Sequence, residues 1–296
     1  MLIKLAPLPL LLTASWAAIP PQTGYTLTWY DDFEGPQGQG VDTSKWNEAG
    51  PEDGKQNGEW QRYNNWDTAN THLSGDGQLY IIPKKNSTMY TSGRIESKSN
   101  FHCPLGSKMI VQSEFRVPDF TAGTSAGTTD GYWPAFWMLG ASFRAEPRTE
   151  WPWCGERDIF EGSPFQGSNG VCAVHFHDGN GNNRSITGGI TYTGDQYHTW
   201  ALKVDRQPAN TNDHSLIWYR DGTPFKTITK GSLDSASWTA LAAKSYYIIM
   251  NLAIGARFGW PGVDEDDNFT NWPSDQTVTG YVNSMRIKYV AVYHSV

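Results

Sequence analysis

The sequence predicts an all-β chain, folded as an antiparallel sandwich or barrel. Three observations carry that prediction. Segments that alternate in polarity recur at short spacing along the 296 residues. Trp, Tyr and Phe number 14, 14 and 12, and with 30 Gly and 17 Pro they make a composition of strands and turns. One segment alone reads as a helix, and it is short.

The elements follow in order. Leu79–Pro83 is a strand entered from the turn Gly75-Asp76-Gly77. Met109–Val117 and Trp133–Leu139 alternate, the second with Trp133, Ala135 and Trp137 on one face. Glu156–Glu161 is an acidic strand. Val171–His177 sets His175 and His177 on one face and stops at Asp178-Gly179-Asn180-Gly181. Thr199–Val204 and Ser215–Arg220 come next, the latter closed by Asp221-Gly222. Asp234–Lys244 is the helix, with Asp234 as its N-cap. Tyr246–Ala253 and Met285–Tyr293 complete the strands. Residues 121–130, rich in Gly, Ser and Thr, and 143–152, with mixed charge and two prolines, read as loops ahead of the acidic strand. One surface of such a sandwich can curve into a groove that holds a polymer.

No repeat, linker or composition break divides the chain, so residues 19–296 are expected to form one domain. Before them, Met1–Lys4 carries one positive charge and Leu5–Leu12 is apolar but too short to span a bilayer. Ser15-Trp16-Ala17 supplies a small-x-small cleavage site, so residues 1–18 read as a secretory signal peptide and the protein as extracellular. Sequons at Asn86, Asn183 and Asn268 agree with an exported glycoprotein. Among Cys103, Cys154 and Cys172, an oxidising compartment predicts one disulfide and one buried thiol, with Cys154–Cys172 the preferred pair. The net charge of −7 and pI of about 5.5 argue against nucleic acid and anionic membranes as partners. A neutral sugar polymer, bound by a monomer, fits the aromatic composition.

The most informative stretch is Gly155-Glu156-Arg157-Asp158-Ile159-Phe160-Glu161, flanked by Trp151 and Trp153. In a regular strand residues 156, 158 and 160 share a face, and 161 points away. All three acids reach one groove only if a bulge adds a residue after Asp158. The two glutamates then start roughly 13 Å apart at Cα. Inward-leaning side chains bring the carboxyls to the roughly 5–5.5 Å of a retaining glycosidase. One glutamate attacks the anomeric carbon; the other protonates the leaving oxygen and later activates water. Asp158 between them orients the nucleophile and raises the pKa of the acid.

These residues, with others along the chain, resemble glycoside hydrolase family 16, in particular its secreted fungal laminarinase-like members. Thr28-Trp29-Tyr30-Asp31-Asp32-Phe33 is similar to the family's opening strand. Asn57-Gly58-Glu59-Trp60-Gln61-Arg62-Tyr63 resembles its Asn-x-Glu-x-Gln-x-Tyr segment. Tyr90–Ile95 and Trp133–Leu139 are close to its wording, and Gly155-Glu156-x-Asp158-Ile159-x-Glu161 is its bulged signature. Asn251–Gly255 and Tyr289–Tyr293 resemble its last strands.

The resemblance implies a concanavalin-like β-jelly-roll, a sandwich of two curved antiparallel sheets with a concave substrate cleft. It implies Glu156 as nucleophile, Glu161 as acid/base and Asp158 as the assisting carboxylate. It places Trp137 and Trp151 in the cleft, the former near the sugar under attack. Arg94, Glu59, Asn57, His175, Asn251 and Trp260 map to its substrate-binding set. His175 or His177 is expected to tune Glu161. A Trp face is wide and flat like that of a β-linked pyranose, and its ring quadrupole attracts polarised C–H groups.

Two departures from the family pattern bear on structure. Arg157 stands where an apolar residue is usual, and a buried Arg predicts an acidic partner. Lys288 stands where relatives carry a calcium-ligating Asp; an ammonium cannot ligate, so no calcium and no other cofactor is expected. The resulting expectation is a secreted, retaining endo-β-glycosidase acting on internal β-1,3 linkages of laminarin-type or mixed-linkage 1,3(4) glucan. An endo-β-1,3-galactanase, a glucan-recognition module and a transglycosylase are the alternatives.

Overall fold

The computed structural model describes residues 19–49, 56–64, 66–87, 89–120, 128–144, 151–257 and 270–296. The predicted signal peptide, Trp260 and the Asn268 sequon lie outside them. Two antiparallel sheets make up the body. A seven-stranded sheet runs Asn183–Thr191, Asn169–His177, Glu156–Glu161, Tyr132–Gly140, Tyr246–Ile254, Arg94–Ser97 and Trp46–Glu48. An eight-stranded sheet runs Thr223–Thr229, Ser215–Arg220, His198–Asp205, Lys108–Arg116, Met285–Ser295, Leu79–Ile81 and Thr71–Leu73, with Tyr25–Asp31 also paired to Met285–Ser295. This is the β-jelly-roll sandwich the sequence predicts.

Alternation explains how the sheets stack. Val111, Phe115, Trp200, Leu202 and Val292 of one sheet face Phe136, Met138, Phe160, Val174 and Ile248 of the other in one continuous core. Phe115 packs edge-on against both Phe136 and Phe160, with ring centroids 5.9 and 5.3 Å apart. Each such fully buried side chain stabilises the sandwich by roughly 1.5–3 kcal/mol. The remaining face of the seven-stranded sheet is the concave face, and it carries the acids.

Several expectations are corrected, though the helix is not among them: it forms within its expected span, as one α-turn, Ser235–Trp238, widening into a π turn over Thr239–Ala243. Asp234 caps it, accepting from the backbone N–H of Ala236 and Ser237 at 2.9 and 3.0 Å. No disulfide forms: Cys103, Cys154 and Cys172 are all free and buried. Cys172 points into the inter-sheet core, whereas Cys154 packs with Leu139, Tyr247 and Ile249 on the other side of the same sheet. A sheet therefore separates the preferred pair. Among the described residues, Arg157 has no acidic partner either. It is 1% exposed, donates from Nε to the Leu241 carbonyl at 2.6 Å, and lies 3.7 Å over the Tyr246 ring. A π-face and a carbonyl stand in for the acid. Lys288 pairs with Glu114 and lies 4.3 Å over the Tyr197 ring, offering no ligand to a cation.

Candidate active site

The acidic strand sits third from one edge of its sheet, between Tyr132–Gly140 and Asn169–His177. Both pairings skip a step. Against Tyr132–Gly140, Trp137 faces Asp158 but Phe136 faces Phe160, leaving Ile159 over. Against Asn169–His177, Ala173 faces Asp158 and Val171 faces Glu161, two intervening residues opposite one. Ile159 and Phe160 are both fully buried in the inter-sheet core. Two consecutive inward side chains shift the alternation, so Glu156, Asp158 and Glu161 share the concave face. A bulge disrupts the ladder, and Trp218 of the opposite sheet donates its indole N–H to the Asp158 carbonyl at 2.9 Å.

The three acids are held differently. Trp151 donates its indole N–H to Glu156 Oε2 at 3.0 Å, and Trp133 donates to Glu161 Oε1 at 3.0 Å. Asp158 is buried, and among the described residues its Oδ2 has no hydrogen-bond donor. Burial raises the pKa of all three, and Glu161's negative charge raises Glu156 further. The charges of both glutamates raise Asp158. The Trp151 N–H and the charge of Arg94 oppose the rise at Glu156; the Trp133 N–H opposes it at Glu161. Burial and mutual repulsion in one desolvated patch therefore favour protonated forms, so the three carboxyls do not all ionise together.

His175 lies beside Glu156 and Asp158, not Glu161 as expected. Its Nε2 is 3.9 Å from Glu156 Oε1 and 3.5 Å from Asp158 Oδ2. Strand register is the reason: His175 faces Glu156 across the ladder, and Val171 faces Glu161. Burial lowers the imidazole pKa, which favours its neutral form. Ligating atoms of Glu156, Asp158 and His175 fall within 4.8 Å of one another among the described residues. A cation held there would occupy the oxygens of Glu156, in competition with a sugar.

On one flank, toward Arg94–Ser97, the structure gathers Trp137, Asn251, Arg94 and Glu59. Trp137 donates its indole N–H to Asn251 Oδ1 at 2.7 Å, and Asn251 Nδ2 donates to the Tyr63 hydroxyl at 3.1 Å. Gln61 Nε2 donates to Glu59 Oε2 at 2.6 Å. Burial pushes the Glu59 carboxyl up to about 7 against those hydrogen bonds. The Arg94 guanidinium lies 5.1 Å over the Trp137 ring and pairs with Glu96 at 2.7 Å. Asn57, at φ 64° in the turn before Glu59, is exposed and hydrogen-bonded to it. On the other flank stand His175 and the exposed Trp151, ring centroids 6.0 Å apart. Trp260 lies outside the described residues. Sequence reasoning gave no site role to Gln61, Tyr63, Trp133 or Trp218. Gln61 and Tyr63 continue the alternate spacing of Asn57 and Glu59, a signal that was present; nothing local marks Trp218.

No family model matches the chain. Glucan endo-1,3-beta-glucosidase A1 of Niallia circulans is 29% identical over 93% of this chain and 38% of its own length. This chain thus spans less than two fifths of that relative. The 1.5 Å crystal structure of an endo-1,3-beta-glucanase from Streptomyces sioyaensis superposes with a TM-score of 0.78 at 29% identity, covering 94% of this chain and 99% of that one. An endo-beta-1,3-glucanase from Pyrococcus furiosus gives 0.64 at 27% identity, over 92% and 95% of the two chains.

Proposed function

We propose that this chain, whose relatives are laminarinase-type glycoside hydrolases of family 16, hydrolyses internal β-1,3 linkages of a β-glucan with retention at the anomeric carbon. The observation that carries this reading is the bulge. It brings Glu156 and Glu161 to one face of one strand with Asp158 between them. As an anion, Glu156 attacks C1 while Glu161 delivers its proton to the departing glycosidic oxygen, and the C1–O bond breaks. Glu161, now a carboxylate, takes a proton from water. That water's oxygen bonds C1 and releases Glu156. The Trp151 N–H and the Arg94 charge favour the anionic form that Glu156 needs. Asp158 keeps negative charge or a shared proton beside both glutamates, which favours a protonated acid at the start of the cycle.

Substrate-contact roles for Trp137, Trp151, Arg94, Glu59, Asn57, His175, Asn251 and Trp260 belong to the same proposal, as does action outside the cell as a monomer. Trp137 presents a partly exposed ring on the concave face, held edgewise by Asn251, which suits stacking on a pyranose. The test is turnover of laminarin, mixed-linkage glucan and β-1,3-galactan in parallel, with the anomer of the first product read by NMR. Glu156→Gln is expected to lose at least roughly 10³-fold in kcat on laminarin while keeping its fold and glucan binding. Full activity of that variant, or an inverted first product, would overturn the proposal. Preference for galactan would move the substrate and leave the mechanism.

A further inference from the structure

We propose that Trp153, backed by His177, is a second sugar-binding platform, on the flank of the cleft opposite Trp137 and Arg94. Sheet order defines the two flanks. From the acidic strand, Tyr132–Gly140, Tyr246–Ile254 and Arg94–Ser97 lie on one side and carry Trp137, Asn251 and Arg94. Asn169–His177 lies on the other side. In that strand Cys172, Val174 and Phe176 belong to the inter-sheet core, so His175 and His177 face the cleft. A chain of sugars that passes from Glu156 over His175 and turns along that strand next meets whatever covers His177, the following cleft-facing side chain.

What covers it is an indole. The Trp153 ring stacks on the His177 ring with centroids 3.5 Å apart and planes 12° apart. His177 is 8% exposed, yet Trp153 is 55% exposed. One ring face therefore rests on the imidazole and the other meets solvent. The backbone holds the ring in place: the Lys244 ammonium donates to the Trp153 carbonyl at 2.8 Å, and Cys154, the next residue, is fully buried. Beyond it, Asp178 fixes the turn after His177 by accepting from Asn180, Asn182 and Arg184. An apolar core does not account for a large aromatic fixed on both sides and left half in water. A flat, pre-ordered aromatic surface in line with a sugar cleft binds at low entropic cost, because it has little freedom left to lose. The occupant is a β-linked glucose residue of the same substrate chain, several sugars from the one over Trp137. The platform deepens the β-glucan reading above and rests on it.

The test compares kcat/KM on laminarihexaose and on laminaritriose, which is too short to reach both flanks. The hexaose-to-triose ratio is expected to fall roughly tenfold in Trp153→Ala, the loss of one stacked aromatic. Trp153→Phe is expected to recover part of it. Hexaose labelled at its reducing end is expected to be cut at different positions by Trp153→Ala. An unchanged ratio and cutting pattern overturns the platform; so does an equal loss on both substrates, which would mark a packing role. A wild-type protein inactive on all β-1,3-glucans would sink the hydrolase reading instead. The platform is then judged separately, by retardation in gels containing laminarin or mixed-linkage glucan: equal retardation of wild type and Trp153→Ala overturns it.

Discussion

The two indole donors offer a way to separate the two glutamates. Trp133→Phe removes the N–H that reaches Glu161 at 3.0 Å and keeps most of the ring. Trp151→Phe does the same at Glu156. A hydrogen bond to a charged group contributes roughly 1.5–3 kcal/mol where it is shielded from water. The Trp133–Glu161 contact is half-buried, so about 1.4 kcal/mol, or about one pKa unit, is the expected scale. Trp151 is 46% exposed, and solvent screening reduces its effect to about half a unit. Each N–H favours the charged carboxylate, so its loss raises that carboxyl's pKa. If Glu156 must be ionised and Glu161 protonated in the complex, Trp133→Phe moves the alkaline limb of the kcat profile upward. Trp151→Phe moves the acid limb upward. The assay is kcat on laminarin from pH 4 to 9 for the three proteins. Coupling spreads each change over both limbs, but the larger shift identifies the contact. A downward shift, or Trp133→Phe acting mainly on the acid limb, refutes the assignment.

Other outcomes follow from buried groups around the site. Glu59 is raised by burial from the usual glutamate value of 4.5 to about 7, so the folded state holds a proton that the unfolded state releases between those pH values. Stability falls as pH rises through that window, by up to about 3 kcal/mol from this group; Glu59→Gln removes that share, so the drop in melting temperature from pH 5 to pH 8 must be smaller in the variant than in wild type. Arg157 brings a buried charge whose NH1 has no hydrogen-bond partner among the described residues. Arg157→Leu is expected within about 1 kcal/mol of wild type in urea unfolding, and Arg157→Ala to lose about 3 kcal/mol by opening a cavity. Equal losses would show that the charge itself is needed. Trp218→Phe strips the donor from the Asp158 carbonyl and is expected to cost about 1–3 kcal/mol of stability. It should also lower kcat on laminarin more than it raises KM, because the bulge orients the acids rather than gripping the sugar.

How far the site could be read from the chain depends on the range of the interaction. The bulge was legible because three acids and two large apolar residues, Ile159 and Phe160, cannot satisfy a strict two-residue period at once. The alternate spacing of Asn57, Glu59, Gln61 and Tyr63 lies within one segment and so was available to sequence reading, but it assigned no role to Gln61 or Tyr63. Asn183–Thr191 was not legible, since an edge strand of exposed and half-exposed residues carries no apolar period. Nor was the neighbour of any acid across the ladder. His175 faces Glu156 because antiparallel pairing starts from the turn that joins the two strands: Val171 is opposite Glu161, and counting back from it leaves Ala173 at Asp158 and His175 at Glu156. That register depends on the conformation of residues 162–168 and on the bulge together, and one residue more or less would put His175 toward the core. The partners of Cys154, Cys172 and Arg157 are set the same way, by which side of the sheet each residue takes and by what the opposite sheet brings to it. An acid's position along its own strand is thus a local property. Its protonation belongs in part to the assembled sandwich, because Arg94 acts on Glu156 and Trp133 acts on Glu161 from other strands.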